Sequence, residues 1–150
     1  MGIKKDLGLK KFRNPYKKAM VNILYTHSWV LDKIKGFTNS EKLTPQQHNM
    51  LQILRGNSTP TSTLQLRERM LGKMSDTSRI VNRLIAKKLV KKRNSKKDKR
   101  LVEISILPQG LNVLRKLDSR NEELDSILYG LTKKEADLLS NLLDKLHNHQ

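Results

Sequence analysis

Ser75-Asp76-Thr77-Ser78-Arg79-Ile80-Val81-Asn82-Arg83-Leu84-Ile85-Ala86-Lys87-Lys88 decides the fold, together with the run that follows it, Leu89-Val90-Lys91-Lys92-Arg93-Asn94-Ser95-Lys96-Lys97-Asp98-Lys99-Arg100. Ile80, Val81, Leu84 and Ile85 fall at i, i+1, i+4 and i+5, the spacing of one apolar helix stripe. Ser75, Ser78, Arg79, Asn82 and Arg83 fall away from that stripe. Small hydroxyls, an amide and arginines on a helix surface suit base edges and flanking phosphates. Lys88 stands where such a helix commonly ends on glycine, so a lysine is expected to take a left-handed conformation. Leu89-Val90 then leaves the helix, and cations crowd around Asn94-Ser95. Beyond Arg100, Val102, Ile104 and Ile106 alternate with polar or outward positions, a strand signal. The order helix, strand, basic turn, returning strand is the plan of a winged helix.

Upstream, Ser62-Thr63-Leu64-Gln65 has the form of a capping box and opens a short helix to Met70 or Leu71. Gly72-Lys73 breaks it, and Ser75 is expected to start the basic helix. Two helices joined by a tight turn make a helix-turn-helix, in which the second enters the major groove and the first braces it. Thr44-Pro45-Gln46-Gln47 starts another helix, with threonine as cap and proline in the first turn; it stops at Gly56, and residues 57–61 read as a turn. His48 within it reads as structural. Tyr16 to Phe37 carries a broad apolar face of Met20, Ile23, Leu24, Val30, Leu31, Ile34 and Phe37. Tyr25, His27 and Trp29 on this helix either line a small-molecule pocket or simply pack. Before it, Lys4, Lys5, Lys10, Lys11 and Arg13 make a basic arm that touches DNA, embraces a partner, or is a solvated tail.

Downstream, Leu107-Pro108-Gln109-Gly110 ends the strand and begins one long helix through Leu111, Leu114, Leu117, Leu124, Ile127, Leu128 and Leu131. Thr132-Lys133-Lys134-Glu135 is a third capping box, and Leu138, Leu139, Leu142, Leu143 and Leu146 follow at helical spacing. Such leucine-rich helices bury their stripe against another helix layer. Flanking a small basic module, they read as a dimer interface, with packing inside one chain as the alternative. The chain thus divides into 1–42, an N-terminal arm and dimerisation helix; 43–110, a winged helix-turn-helix; and 111–150, C-terminal dimerisation helices. The fold class expected is mainly α with a small β wing.

The 150 residues carry a net charge of +17, from 31 Lys and Arg against 14 Asp and Glu. Between Arg67 and Arg100 there are 14 cationic and 3 anionic side chains; from Lys116 to Gln150 there are 5 and 7. The charge is focused on the helix-turn-helix and wing, which implies a polyanionic partner. The absence of cysteine excludes disulfides, thiolate zinc sites and thiol redox sensing. No apolar run approaches the roughly 20 residues of a membrane span, and no secretory signal is visible, so a cytoplasmic, nucleoid-associated protein is expected. His27, His48, His147 and His149 are scattered. No carboxylate pair, glycine-rich phosphate loop or nucleophile-base spacing occurs. An enzyme is not expected, nor a cofactor or metal; a metal role for His147-x-His149 is the weak alternative.

Ser78-Arg79-Ile80-Val81-Asn82-Arg83-Leu84, followed by Lys87, Leu89-Val90 and Arg93, resembles the recognition helix and first wing strand of the MarR family of bacterial transcription regulators. Asp98-Lys99-Arg100 is similar to that family's D-x-R wing motif, and Pro108-x-Gly110 to its helix start after the wing. The resemblance covers roughly Leu43 to Leu117. It implies a homodimer with interleaved terminal helices and two winged lobes on a palindromic operator. Arg100 would enter the minor groove with its guanidinium held by Asp98, a role suited to bidentate pairing. Leu107 replaces the threonine often found before the proline, which weakens the expected helix cap. Many relatives release DNA on binding a small phenolic or other amphipathic effector; no motif here assigns effector residues.

The function expected is sequence-specific double-stranded DNA binding by a dimeric, ligand-responsive repressor. Ser75, Asp76, Ser78, Arg79, Asn82 and Arg83 would meet bases or phosphates from the recognition helix. Lys96, Lys97, Asp98, Lys99 and Arg100 would serve in the wing. The alternative is a non-specific, chromosome-organising protein. Aromatics do not interleave the basic run, which argues against a single-strand or RNA stacking surface.

Overall fold

The computed structural model describes residues 2–8, 11–72 and 76–148, with backbone alone for Lys4 and Asp6. Its elements are α1 (Ile3–Asp6), α2 (Pro15–Asn39), α3 (Pro45–Gly56), β1 (Thr61–Ser62), α4 (Thr63–Arg69), α5 (Thr77–Ala86), β2 (Val90–Asn94), β3 (Val102–Ile106), α6 (Pro108–Asp118), α7 (Asn121–Asp125) with a following 3-10 turn, and α8 (Lys133–His147). All three capping boxes form. At α3, Thr44 Oγ1 accepts from Gln47 N at 3.1 Å and Gln47 Oε1 accepts from Thr44 N at 3.2 Å. Ser62 with Gln65 and Thr132 with Glu135 repeat the exchange at α4 and α8. Each box satisfies amide donors that a helix start otherwise leaves to water. At α6 the leucine in the cap position makes no such bond.

The wing is a three-stranded antiparallel sheet in the order β1-β3-β2. Val90 lies opposite Ile106 and Asn94 opposite Val102, while Thr61 lies opposite Ile104. The β1 strand is absent from the sequence reading, which has residues 57–61 as a turn. Two residues are too few to alternate, and the pairing comes entirely from β3. The core gathers Met50, Leu51 and Leu54 of α3, Leu66 of α4, Val81 and Leu84 of α5, Val90, Ile104, and Leu114 and Leu117 of α6. Sequestering each of these large side chains contributes roughly 1.5–3 kcal/mol. Gly110 lets α6 lie against this sheet. A Cβ there would stand 2.5 Å from the Leu89 carbonyl oxygen and 2.8 Å from Ile106 Cγ1, which gives the Pro108-x-Gly110 spacing a packing reason.

The single long helix expected after Pro108 is instead broken. α6 ends at Asp118 and α7 starts at Asn121. Arg120 explains the corner. Its guanidinium donates to Glu123 at 2.8 and 2.6 Å and to Ser40 Oγ at 2.6 Å, and lies 5.2 Å from the Phe37 ring centroid. This tertiary clamp to the end of α2 turns the chain off its axis, while leucines on both sides keep helical spacing and conceal the break.

Apolar cover is uneven. In α2 only Phe37 and Thr38 are buried, and α8 has no buried residue. Met20, Ile23, Leu24, Tyr25 and Trp29 of α2 and Leu138, Leu139, Leu142 and Leu146 of α8 are exposed. Tyr25 and Trp29 are therefore only partly covered within one chain. His48 is buried, as its structural reading requires, against Phe37 with ring centroids 6.1 Å apart.

Candidate nucleic-acid interface

The start of α5 is set by Asp76, whose Oδ1 accepts from Arg79 N at 3.1 Å. The helix therefore begins at Thr77, two residues later than the sequence reading has it. Asp76, expected on the reading surface, is the cap residue, and Ser75 lies outside the described residues. Val81 and Leu84 turn into the core, with Ile80 and Ile85 half-buried beside them. Ser78, Arg79, Asn82 and Arg83 are exposed on the other side, as the stripe requires. A helix this narrow fits a major groove about 12 Å wide.

Its end is equally defined. Leu89 N donates to Leu84 O at 3.0 Å and Lys88 N to Ile85 O at 2.8 Å, with Lys88 at φ 60°. These nested bonds make a Schellman motif, and the left-handed lysine expected from the sequence is present. The motif sends the chain directly into β2, so α5 and the wing share one corner.

Hydrogen bonds fasten Arg69 and Leu71, at the end of α4, to neighbouring parts of the fold. Leu71 N donates to Asn49 Oδ1 at 3.0 Å. Arg69 Nη1 donates to Asn57 Oδ1 at 2.8 Å, and Asn57 Nδ2 to the buried Thr61 Oγ1 at 2.7 Å. This chain of bonds ties α4 to the wing sheet. Sequence reasoning missed it, because its members belong to three different elements.

At the wing tip, the buried Ser95 Oγ accepts from Lys97 N at 3.2 Å and Asp98 N at 3.3 Å. Ser95 N donates to Leu101 O at 2.9 Å. Asp98 Oδ1 accepts from both the backbone N of Arg100, at 3.0 Å, and its Nε, at 3.2 Å. The pairing thus uses one carboxylate oxygen rather than the bidentate fork expected. It fixes the root of Arg100 and leaves a side chain 91% exposed, with its guanidinium tip free. Lys96, Lys97 and Lys99 surround it, all exposed. Arg93, lower on the wing, is paired with Glu103 across the strands at 3.4 Å. The arrangement presents a convex helix and a cationic projection, each with fixed backbone.

Among the described residues no group of three or more His, Cys, Asp or Glu could hold a metal ion. His147 is exposed, and its proposed partner His149 lies outside the described residues. No described helix is long and apolar enough to cross a membrane.

Residues 42–101 match the sequence model of the MarR family. Comparison with curated protein sequences returns no match. Similar solved structures include a MarR-like transcription regulator from Bacillus cereus, with TM-score 0.79 and 19% identity over 89% of this chain and 96% of that one. Mutant MarR from E. coli complexed with operator DNA gives TM-score 0.76 and 17% identity, covering 89% of this chain and 98% of that one. BpsR from Bordetella bronchiseptica, whose DNA binding is regulated by 6-hydroxynicotinic acid, gives TM-score 0.74 and 21% identity, covering 83% and 95%.

Proposed function

Taking residues 42–101 as a MarR-family winged helix, we infer that the protein regulates transcription by binding a palindromic DNA operator as a homodimer. The observation that carries this reading is the exposed face of Ser78, Arg79, Asn82 and Arg83 beside a pre-shaped cationic wing. Arg79 and Asn82 have the chemistry to read guanine and adenine edges, at roughly 1–3 kcal/mol per good bidentate pair. Arg83, Lys96, Lys97 and Lys99 anchor phosphates, and Arg100 enters the minor groove. The uncovered leucines of α8 and the exposed face of α2 supply the second half of the argument. A second copy related by two-fold symmetry buries them and fixes two lobes at one separation.

A cavity of about 350 Å3 between α2 and the region of α7 supports an effector of small amphipathic type. It is lined by Trp29, Phe37 and Ile127 beside Lys33 and Glu123, a mixture suited to an apolar body with a polar handle. Effector binding there acts on operator affinity through the spacing of the two lobes, and the regulator is a repressor.

In vitro selection from a random duplex pool tests the function. The expected product is a palindrome with half-sites about one helical turn apart. Equal recovery of all sequences would instead make this a non-specific, chromosome-organising protein.

A further inference from the structure

Six ion pairs form among the described residues: Arg55 with Asp118, Arg93 with Glu103, Arg100 with Asp98, Lys116 with Glu41, Arg120 with Glu123 and Lys35 with Asp32. Three cations at one seam are not so partnered. Lys42, Arg83 and Lys87 line a cavity of about 410 Å3 where the α2–α3 loop meets the last turn of α5. Among the described residues no carboxylate lies within ion-pairing distance of any of the three, and the cavity's lining contains none. Like charges gathered without a counter-charge repel one another, and an anion relieves that repulsion.

The site is built, not merely exposed. Lys87 Nζ donates to the Lys42 carbonyl and, at 3.3 Å, to Gln47 Oε1. Gln47 is buried. An ammonium has three donors, so Lys87 is tethered with one N–H remaining. Lys42 is held at φ 57° by bonds from its own N to Asn39 O at 2.9 Å and from Leu43 N to Thr38 O at 3.2 Å. Leu43 and Ala86 give the cavity an apolar wall. The volume lies within the roughly 300–1,000 Å3 of small-molecule sites, and the site is open to solvent on one side.

We propose that this seam binds a small, multiply charged anion of the phosphate class, and that the bound anion competes with DNA for Arg83. The coupling rests on the DNA-binding reading above, since Arg83 also lies on the exposed face of α5; the anion site itself does not. A triple positive charge favours a dianion over a monocarboxylate. The anion draws Arg83 toward the α2–α3 loop and away from a DNA phosphate, so the occupied protein binds duplex more weakly.

Isothermal titration of the DNA-free full chain with inorganic pyrophosphate, at fixed ionic strength, tests the site. The expected result is saturable binding of one anion per chain. It should weaken by about tenfold or more in Arg83→Gln and in Lys42→Gln, the loss of one charge-assisted hydrogen bond, and stay unchanged in Lys97→Gln on the wing. Absence of saturable binding, or equal weakening in Lys97→Gln, would overturn the proposal by reducing it to diffuse charge. Circular dichroism of each variant separates loss of ligand from loss of fold. A second arm measures duplex affinity with and without pyrophosphate, against a chloride control. Weaker duplex binding in pyrophosphate, abolished by Arg83→Gln, supports the competition. If Lys42→Gln weakens duplex binding but no free anion binds, the seam holds a DNA phosphate and the small-anion proposal is wrong. A protein that binds pyrophosphate but no duplex would refute the DNA reading while leaving the anion site standing.

Discussion

Replacing Lys88 by glycine should stabilise the protein. The lysine sits at φ 60° in the Schellman motif that ends α5, and its backbone makes the bond to Ile85 O. A left-handed conformation costs an L-residue about 1–2 kcal/mol, whereas glycine adopts it freely. Glycine also widens the unfolded ensemble, which offsets about 0.4–1 kcal/mol. The difference leaves a net gain of about 0.5–1 kcal/mol, or roughly 1–4 °C in Tm for a chain of this length. Lys88 is exposed, so little packing is lost. The assay is urea unfolding at one protein concentration, because association would otherwise shift the midpoint. The midpoint should rise with an unchanged slope. Lys88→Ala should be close to neutral, and Lys88→Val should lose stability through its branched Cβ. A glycine variant no more stable than the alanine variant would refute the left-handed corner, and with it the direct join between α5 and the wing.

Three further outcomes follow from the packing. Gly110→Ala should cost about 1–3 kcal/mol by overpacking, since the Leu89 carbonyl has no flexible end to yield; chemical denaturation reads it directly. Leu138→Glu with Leu142→Glu should convert a dimer to monomers in light scattering while helix content is retained, because both side chains are exposed within one chain; a dimer that survives contradicts the interface. Burial holds the His48 imidazole below its ordinary value of 6.5, with Asp118 opposing the shift and Arg55 adding to it. Its Nε2 is buried without a hydrogen-bond partner among the described residues. The unfolded chain therefore binds the proton more readily, so stability present above pH 6.5 falls as pH drops through the depressed folded value. His48→Leu should flatten this part of the stability–pH curve; an unchanged curve would assign it to other groups.

What the sequence disclosed was local. Threonine or serine followed three residues later by Gln or Glu announced three helix starts, because a capping box needs only its own four residues. The wing's outgoing and returning strands were legible from Val90 and from the alternation of Val102, Ile104 and Ile106. Lys88 in place of glycine foretold a strained helix end. The exposed face of α5 followed from the stripe of Val81 and Leu84, whereas the capping role of Asp76 was not legible from that stripe. Most of the features that escaped depend on partners distant in sequence. Strand β1 exists through Ile104, and the corner at Arg120 through Ser40 and Phe37. The Arg69–Asn57–Thr61 chain likewise joins three elements. Periodicity cannot register such contacts.

The central claim is that two identical lobes engage one duplex together. Native mass spectrometry of the protein on a selected full site, beside the same duplex with one half-site scrambled, tests it most directly. The account predicts two chains per full-site duplex, with affinity falling sharply when either half is scrambled. One chain per duplex, bound equally well to the full and the half site, would contradict it.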